Sequence, residues 1–169
     1  MSHTTEELAM NDHRNLASLK VRDIEHLLVV EPAWVLETAA IEEVMEKMIA
    51  DLRTRWVYVV DERKRLLGGV SMNAVVEILF PLEAIIERPD SLYEAYFPKI
   101  TAKTAGELML DPIPCVSDEI TLAKLADLLL SNKMNEMPVV DSDNVLTGEV
   151  NVCEVIKAYL GNVTAPSRN

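Results

Sequence analysis

The chain has 169 residues, of which 49% are apolar and 26% charged, and it carries a formal net charge of −12. A chain of this length buries roughly 70% of its unfolded surface, enough for one ordinary domain or for two small units that share a core. The negative field argues against nucleic-acid phosphates and anionic membranes as partners, and no apolar run approaches the ~20 residues that span a bilayer.

Residues 1–19 read as an N-terminal extension. Thr4-x-x-Glu7 has the form of a capping box, and Leu8, Leu16 and Leu19 make a weak helical stripe. Val21-Arg22-Asp23-Ile24 begins a short helical turn, and Leu28-Val29-Val30 and Trp34-Val35-Leu36 are short apolar segments around Pro32. Ile41, Val44, Met45, Met48, Ile49 and Leu52 recur at helical spacing and predict one buried face. Trp56 to Val60 is almost continuously apolar, as in a strand covered on both faces. Asp61 to Arg65 is a charged turn, Leu66 to Val70 returns as a strand, and Ser71 opens a helix through Val75, Val76, Ile78 and Leu79.

Residues 81–103 form a connector that Pro81, Pro89 and Pro98 keep from being one helix, with a further capping pattern at Ser91-x-x-Glu94. Thr104-x-x-Glu107 caps a short helix, and Ile113-Pro114-Cys115-Val116 is extended. Thr121 begins a helix with Leu122, Leu125, Leu128 and Leu129 on its face. Met137 to Val140 is a strand, Asp141 to Asn144 a turn, and Val145 to Val150 the returning strand. Asn151 opens a last helix through Val155, Ile156 and Leu160, and residues 162–169 read as a flexible tail.

These elements occur twice. Val59-Val60-Asp61, Leu66 and Gly68 recur as Val139-Val140-Asp141, Leu146 and Gly148, each 80 residues later. The first repeat covers residues 20–80 and the second 104–161. Their order, with the opening Gly106-Glu107-Leu108-Met109, the run from Thr121 to Asp141 and the closing Leu146-x-Gly148-x-Val150, resembles a tandem pair of CBS domains, a Bateman module. Tyr58 stands where the second repeat has Pro138. The resemblance implies an α/β (α+β) fold of two repeats, each a short sheet packed with two helices, related by pseudo-two-fold symmetry. It also implies a homodimer. The ligand it implies is AMP, ADP, ATP or S-adenosylmethionine, held in the cleft between the repeats.

No catalytic constellation is present. His3, His13 and His26 all precede the first core helix at no ligand spacing, and Gly68-Gly69 lacks the rest of a phosphate-loop pattern. The expectation is a regulatory protein, not an enzyme, with no metal site. Cys115 and Cys153 are far apart and suit small packing side chains in a reducing cytoplasm.

The place with chemical content is the strand-to-helix junction, where a helix start offers N–H groups and partial positive charge. In the family a Thr or Ser there contacts phosphate, and an Asp three residues on contacts ribose. Here Ser71 keeps the hydroxyl while Ala74 replaces the Asp, and in the second repeat Asn151 and Glu154 replace both residues. Each has an alternative role: Ser71 as a plain N-cap, and Asn151 with Glu154 as a capping box. Arg53, Arg55 and Lys133 are candidate phosphate contacts, or simply a solvated face. Ile113, Pro114, Met137 and Pro138 fall where the family lines its adenine pocket, with plain core as the alternative. A module working only through protein contacts is the second functional reading.

Overall fold

The computed structural model describes residues 16–28, 31–80 and 101–161. The patterns at Thr4-x-x-Glu7 and Ser91-x-x-Glu94, Leu8, Val29, Val30, the three connector prolines and the tail 162–169 lie outside the described residues. In chain order the elements are a 3-10 turn at Val21–Asp23, β1 (Trp34–Leu36), α1 (Ile41–Ala50), β2 (Trp56–Val60), β3 (Leu66–Ser71), α2 (Met72–Leu79), α3 (Ala105–Leu108), α4 (Leu122–Asn132), β4 (Glu136–Val140), β5 (Leu146–Asn151) and α5 (Val152–Leu160). This is the mixed helix and strand architecture with small sheets that the repeat pattern predicts. The chain divides into two compact units. One draws on Met1–Glu31, Pro114–Ser142 and Thr147–Asn169, and the other on Pro32–Ile113 and Asp143–Leu146.

In the second of these, β2 is the centre of a three-stranded sheet of order β1-β2-β3. Val57, Tyr58, Val59 and Val60 have no exposed surface, as their continuous apolar run requires. β1 pairs with β2 in parallel, Val35 opposite Val59, and β3 returns antiparallel with Val70 opposite Val57. The turn between β2 and β3 is tied by Asp61, whose Oδ1 accepts the Arg63 and Arg65 N–H groups at 2.9 Å each. Lys64 takes a left-handed φ of 61°, matched by φ 62° at Asn144 in the corresponding turn. That turn also contributes to this unit: Asn144 accepts the Leu66 N–H at 2.9 Å and donates Nδ2 to the Leu66 carbonyl at 2.8 Å.

α1 packs Ile41, Val44 and Met48 against Val35, Val57, Val59 and Val70. Here the predicted stripe needs correction. Ile49 is 72% and Leu52 84% exposed. The helix stops at Ala50, so Leu52 lies beyond it, and Ile49 falls about 80° around the helix from Ile41, at the margin of the buried arc. α3 is capped by Thr104 and Glu107 as the sequence predicts, and its first two N–H groups, from Ala105 and Gly106, bond the Ala39 and Glu37 carbonyls.

In the other unit, Leu122, Leu125 and Leu129 of α4 pack with Met137, Val139, Val150 and Ala158. Leu19, Val21 and Ile24 complete this core. The opening segment is sewn in by main-chain bonds. Val21 donates to Ile120, Arg22 to Asp118, and Leu122 to Leu19, at 3.0, 3.0 and 2.8 Å. Val116 forms a parallel bridge to Val139, and β4 pairs with β5. Cys115 and Cys153 are both free and exposed, so neither is the packing residue that composition predicts.

Candidate functional site

Both repeats build the strand-to-helix junction the same way. At α2 the Ser71 side chain accepts the Ala74 N–H at 3.2 Å, and the Met72 N–H bonds the Arg55 carbonyl at 2.9 Å. At α5 the Asn151 Oδ1 accepts the Glu154 N–H at 3.1 Å, and the Val152 N–H bonds the Asn135 carbonyl at 2.9 Å. Two of the first three N–H groups of each helix are therefore already bonded. This limits what either helix start can offer to a phosphate.

Glu154 does more than cap. It is fully buried, its Oε2 accepts the Asn151 N–H at 3.1 Å, and its Oε1 accepts the Leu28 N–H at 3.2 Å. Three residues on, Lys157 Nζ reaches the Leu27 carbonyl at 2.8 Å. The start of α5 thus grips the opening segment through two side chains. A carboxylate at this position, one methylene longer than the Asp of the family pattern, reaches a main-chain N–H of the chain itself.

The remaining sequence candidates fall on several elements. Arg53 chelates Asp51, with Nη2 to Oδ2 at 2.6 Å and Nε to Oδ1 at 3.0 Å, and these bonds hold the Asp51 carboxyl down at about 2. Arg55 Nη1 bonds the Leu52 carbonyl at 2.8 Å. Lys133 is the left-handed C-cap of α4, with φ 53° and an exposed side chain. Met137 has no exposed surface and belongs to the core around α4. Pro138 is buried in β4, where its carbonyl accepts the Val116 N–H at 3.0 Å. Ile113 is buried beside Gly69 and Pro114 is half-buried.

Two features escape the sequence reading. The first is a groove of about 480 Å³ lined by Trp34, Leu36, Thr38, Ala40, Glu43 and Lys47, within the range of small-molecule sites. It runs from β1 to the start of α1, whose N-cap, Ala40, has no side chain to offer. Lys64 Nζ lies 5.3 Å from the centroid of the Trp34 ring, a cation–π contact. Its signal in the sequence was the tryptophan at the head of a three-residue strand. The second is Glu25, whose Oε2 is shielded from solvent and has no hydrogen-bond partner among the described residues.

The family profile for the CBS domain matches residues 21–80 and 105–161. The chain belongs to the CBS domain family. Among relatives, CBS domain-containing protein CBSX1, chloroplastic, from Arabidopsis thaliana is 30% identical over 157 residues. That match covers 86% of this chain, which spans 64% of the relative's length. A solved CBS domain-containing protein from Thermotoga maritima is 26% identical with a TM-score of 0.68, covering 89% of this chain and 99% of that one. CBSX2, solved in complex with AMP, is 22% identical with a TM-score of 0.69, covering 85% and 98%. The CBS domain pair of protein MJ0100, solved with 5-methylthioadenosine and S-adenosyl-L-methionine, is 17% identical with a TM-score of 0.63, covering 83% and 98%. At such identities the last two share the fold of this CBS pair. Among the described residues no helix is long and apolar enough to cross a membrane, and no group of His, Cys, Asp and Glu is placed to hold a metal ion.

Proposed function

We propose that this CBS pair is a regulatory module that senses an adenosine-containing ligand, drawn from AMP, ADP, ATP and S-adenosylmethionine. The observation that carries the reading is family membership over both repeats, joined to the AMP complex and the 5-methylthioadenosine and S-adenosyl-L-methionine complex among proteins of the same fold. In this reading the groove beside Trp34 supplies an aromatic face and Thr38 a hydroxyl, and the helix start at Ser71 is a separate candidate for an anion. Asn151 and Glu154 serve the fold, because their polar atoms already hold α5 and the opening segment. Ligand binding then acts by favouring one packing arrangement of the module over another.

A second reading, a module that works through protein contacts without a ligand, is favoured by the occupied N–H groups at both junctions. Exposed apolar side chains on the helices fit either reading and support a homodimer. Ile49, Leu79 and Phe80 lie in one unit, and Leu130, Ile156 and Leu160 in the other. Two free cysteines accord with a reducing, cytoplasmic setting.

A thermal-shift panel with AMP, ADP, ATP, S-adenosylmethionine and the guanine counterparts separates the readings. A ligand at 100 times its dissociation constant adds ~2.7 kcal/mol, or ~5–10 °C at this size. The expected result is such a shift for an adenine ligand and its loss in Trp34→Ala. A flat panel refutes the sensor and leaves the interaction module. Light scattering at about twice the chain mass of 18.9 kDa is expected for the homodimer, and a monomer refutes it.

A further inference from the structure

Gly68 and Gly148 hold corresponding places in the two repeats, and in each a side chain from the other repeat packs close to where a Cβ would stand, joined at Gly68 by the Leu110 carbonyl. Over Gly68 the cover is Met109, whose Sδ would be 2.9 Å from such a Cβ. Over Gly148 it is Glu25, with Oε2 at 3.1 Å and Cδ at 3.5 Å. Asp23-Ile24-Glu25 and Glu107-Leu108-Met109 are the matching stretches, so a carboxyl in one unit does the work of a thioether in the other. A thioether tolerates such a site without cost, whereas an ionised carboxylate oxygen shielded from water and lacking a partner among the described residues does not.

The charges around Glu25 do not relieve it. Asp118, whose carbonyl receives the Arg22 N–H, adds negative charge nearby, and His26 offsets it in part. Lys20 and Arg22 are both engaged by Glu119. On the Gly148 side, the other side chain that shares this space with Glu25 is Val139, which is not ionisable. Glu149 is buried next to Gly148, but strand alternation puts it on the other face of β5. Burial first, and Asp118 second, push the Glu25 carboxyl above its ordinary range.

We propose that Glu25 is a proton-operated latch on the opening segment, residues 16–28. With the proton on, the segment is closed over Gly148, and with the proton off its hold on the unit weakens. The direction follows from linkage. A raised value means that the folded protein binds this proton more tightly than the unfolded chain. The stabilisation is therefore complete below the ordinary glutamate value of 4.5 and is lost as pH rises through the higher folded value. The same segment supplies the Leu28 N–H to Glu154 and the Leu27 carbonyl to Lys157, so its release would free the start of α5. The latch does not depend on any ligand.

The test is amide hydrogen exchange on the full chain, followed at Val21, Arg22 and Leu28 from about pH 4.5 to neutrality and corrected for the intrinsic pH dependence of exchange. In the wild type, protection should fall by up to about tenfold per pH unit across the Glu25 titration, the limit for a single proton. In Glu25→Gln, and in Glu25→Met, which copies Met109, it should stay level. An equal fall in all three proteins overturns the latch. So does a Glu25 carboxyl that titrates, by carbon-detected NMR of the wild type, at or below the ordinary glutamate value, a result that needs no variant to fold.

Discussion

Replacing Glu154 with alanine removes the acceptor of two main-chain donors at once, the buried Asn151 N–H and the part-buried Leu28 N–H. A buried donor left unsatisfied costs about 1–3 kcal/mol, and loss of a helix cap alone about 1 kcal/mol. Water can reach the Leu28 side more easily than the Asn151 side, so the combined loss should be about 2–4 kcal/mol. At 2–4 °C per kcal/mol for a chain of this size, the melting temperature should drop by ~5–15 °C. Glu154→Gln keeps the shape and one oxygen and should lose about half as much. Thermal melts give the total, and amide exchange at Leu28 isolates the contact to the opening segment. A loss within the ~0.5 kcal/mol typical of surface substitutions, with Leu28 protection unchanged, would refute the grip assigned to α5. A nucleotide affinity that falls by more than the stability would instead make Glu154 a ligand contact.

The two glycines offer a contrast. Gly68→Ala drives a Cβ to 2.5 Å from the Leu110 carbonyl oxygen, which is main chain and cannot swing away, so about 1–3 kcal/mol should be lost in a urea melt. Gly148→Ala meets the end of the Glu25 side chain, which can swing aside, and Val139 at an ordinary 3.7 Å, so it should lose less, and an equal or greater loss there would contradict the packing described. Asp51 should titrate at about 2 by NMR, and Arg53→Ala should return it toward the ordinary aspartate value. Because that carboxyl is depressed, its stabilisation is present above 3.8 and disappears as pH falls through about 2. A midpoint unchanged by Arg53→Ala would show that the Arg53 bonds are not formed in solution.

The repeat at constant spacing made the hairpins legible, because Val59-Val60-Asp61 and Val139-Val140-Asp141 mark both the end of a central strand and the turn that follows. Capping was equally readable: Thr104-x-x-Glu107 and Asn151-x-x-Glu154 each form the reciprocal bonds that their spacing predicts. Helical periodicity read the buried arc of α1 but overran it, since apolar spacing does not report where a helix ends. The candidate site was less legible. Ser71 and Asn151 were found by position, but whether their helix starts are already bonded depends on the Arg55 and Asn135 carbonyls, which no motif names. Glu25 was missed because a lone acidic residue in an acidic chain has no pattern of its own. Setting Asp23-Ile24-Glu25 against Glu107-Leu108-Met109 would have exposed the substitution. Buried Glu136 and Glu149 were missed for the same reason.

The stitching of the opening segment has a consequence for synthesis. Arg22 and Glu119 are 97 residues apart, and Leu28 and Glu154 are 126 apart. At about 5–20 residues per second, a ribosome takes roughly 5–20 s to supply the turn at Asp118 to Ile120 that Val21 and Arg22 bond. Through that interval Leu19, Val21 and Ile24 have no core to enter, and the loop they must eventually close is among the longest the chain can form. A nascent-chain chaperone, or the acidic neighbours Asp23 and Glu25 that keep the segment hydrated, would have to guard it until its partner is made.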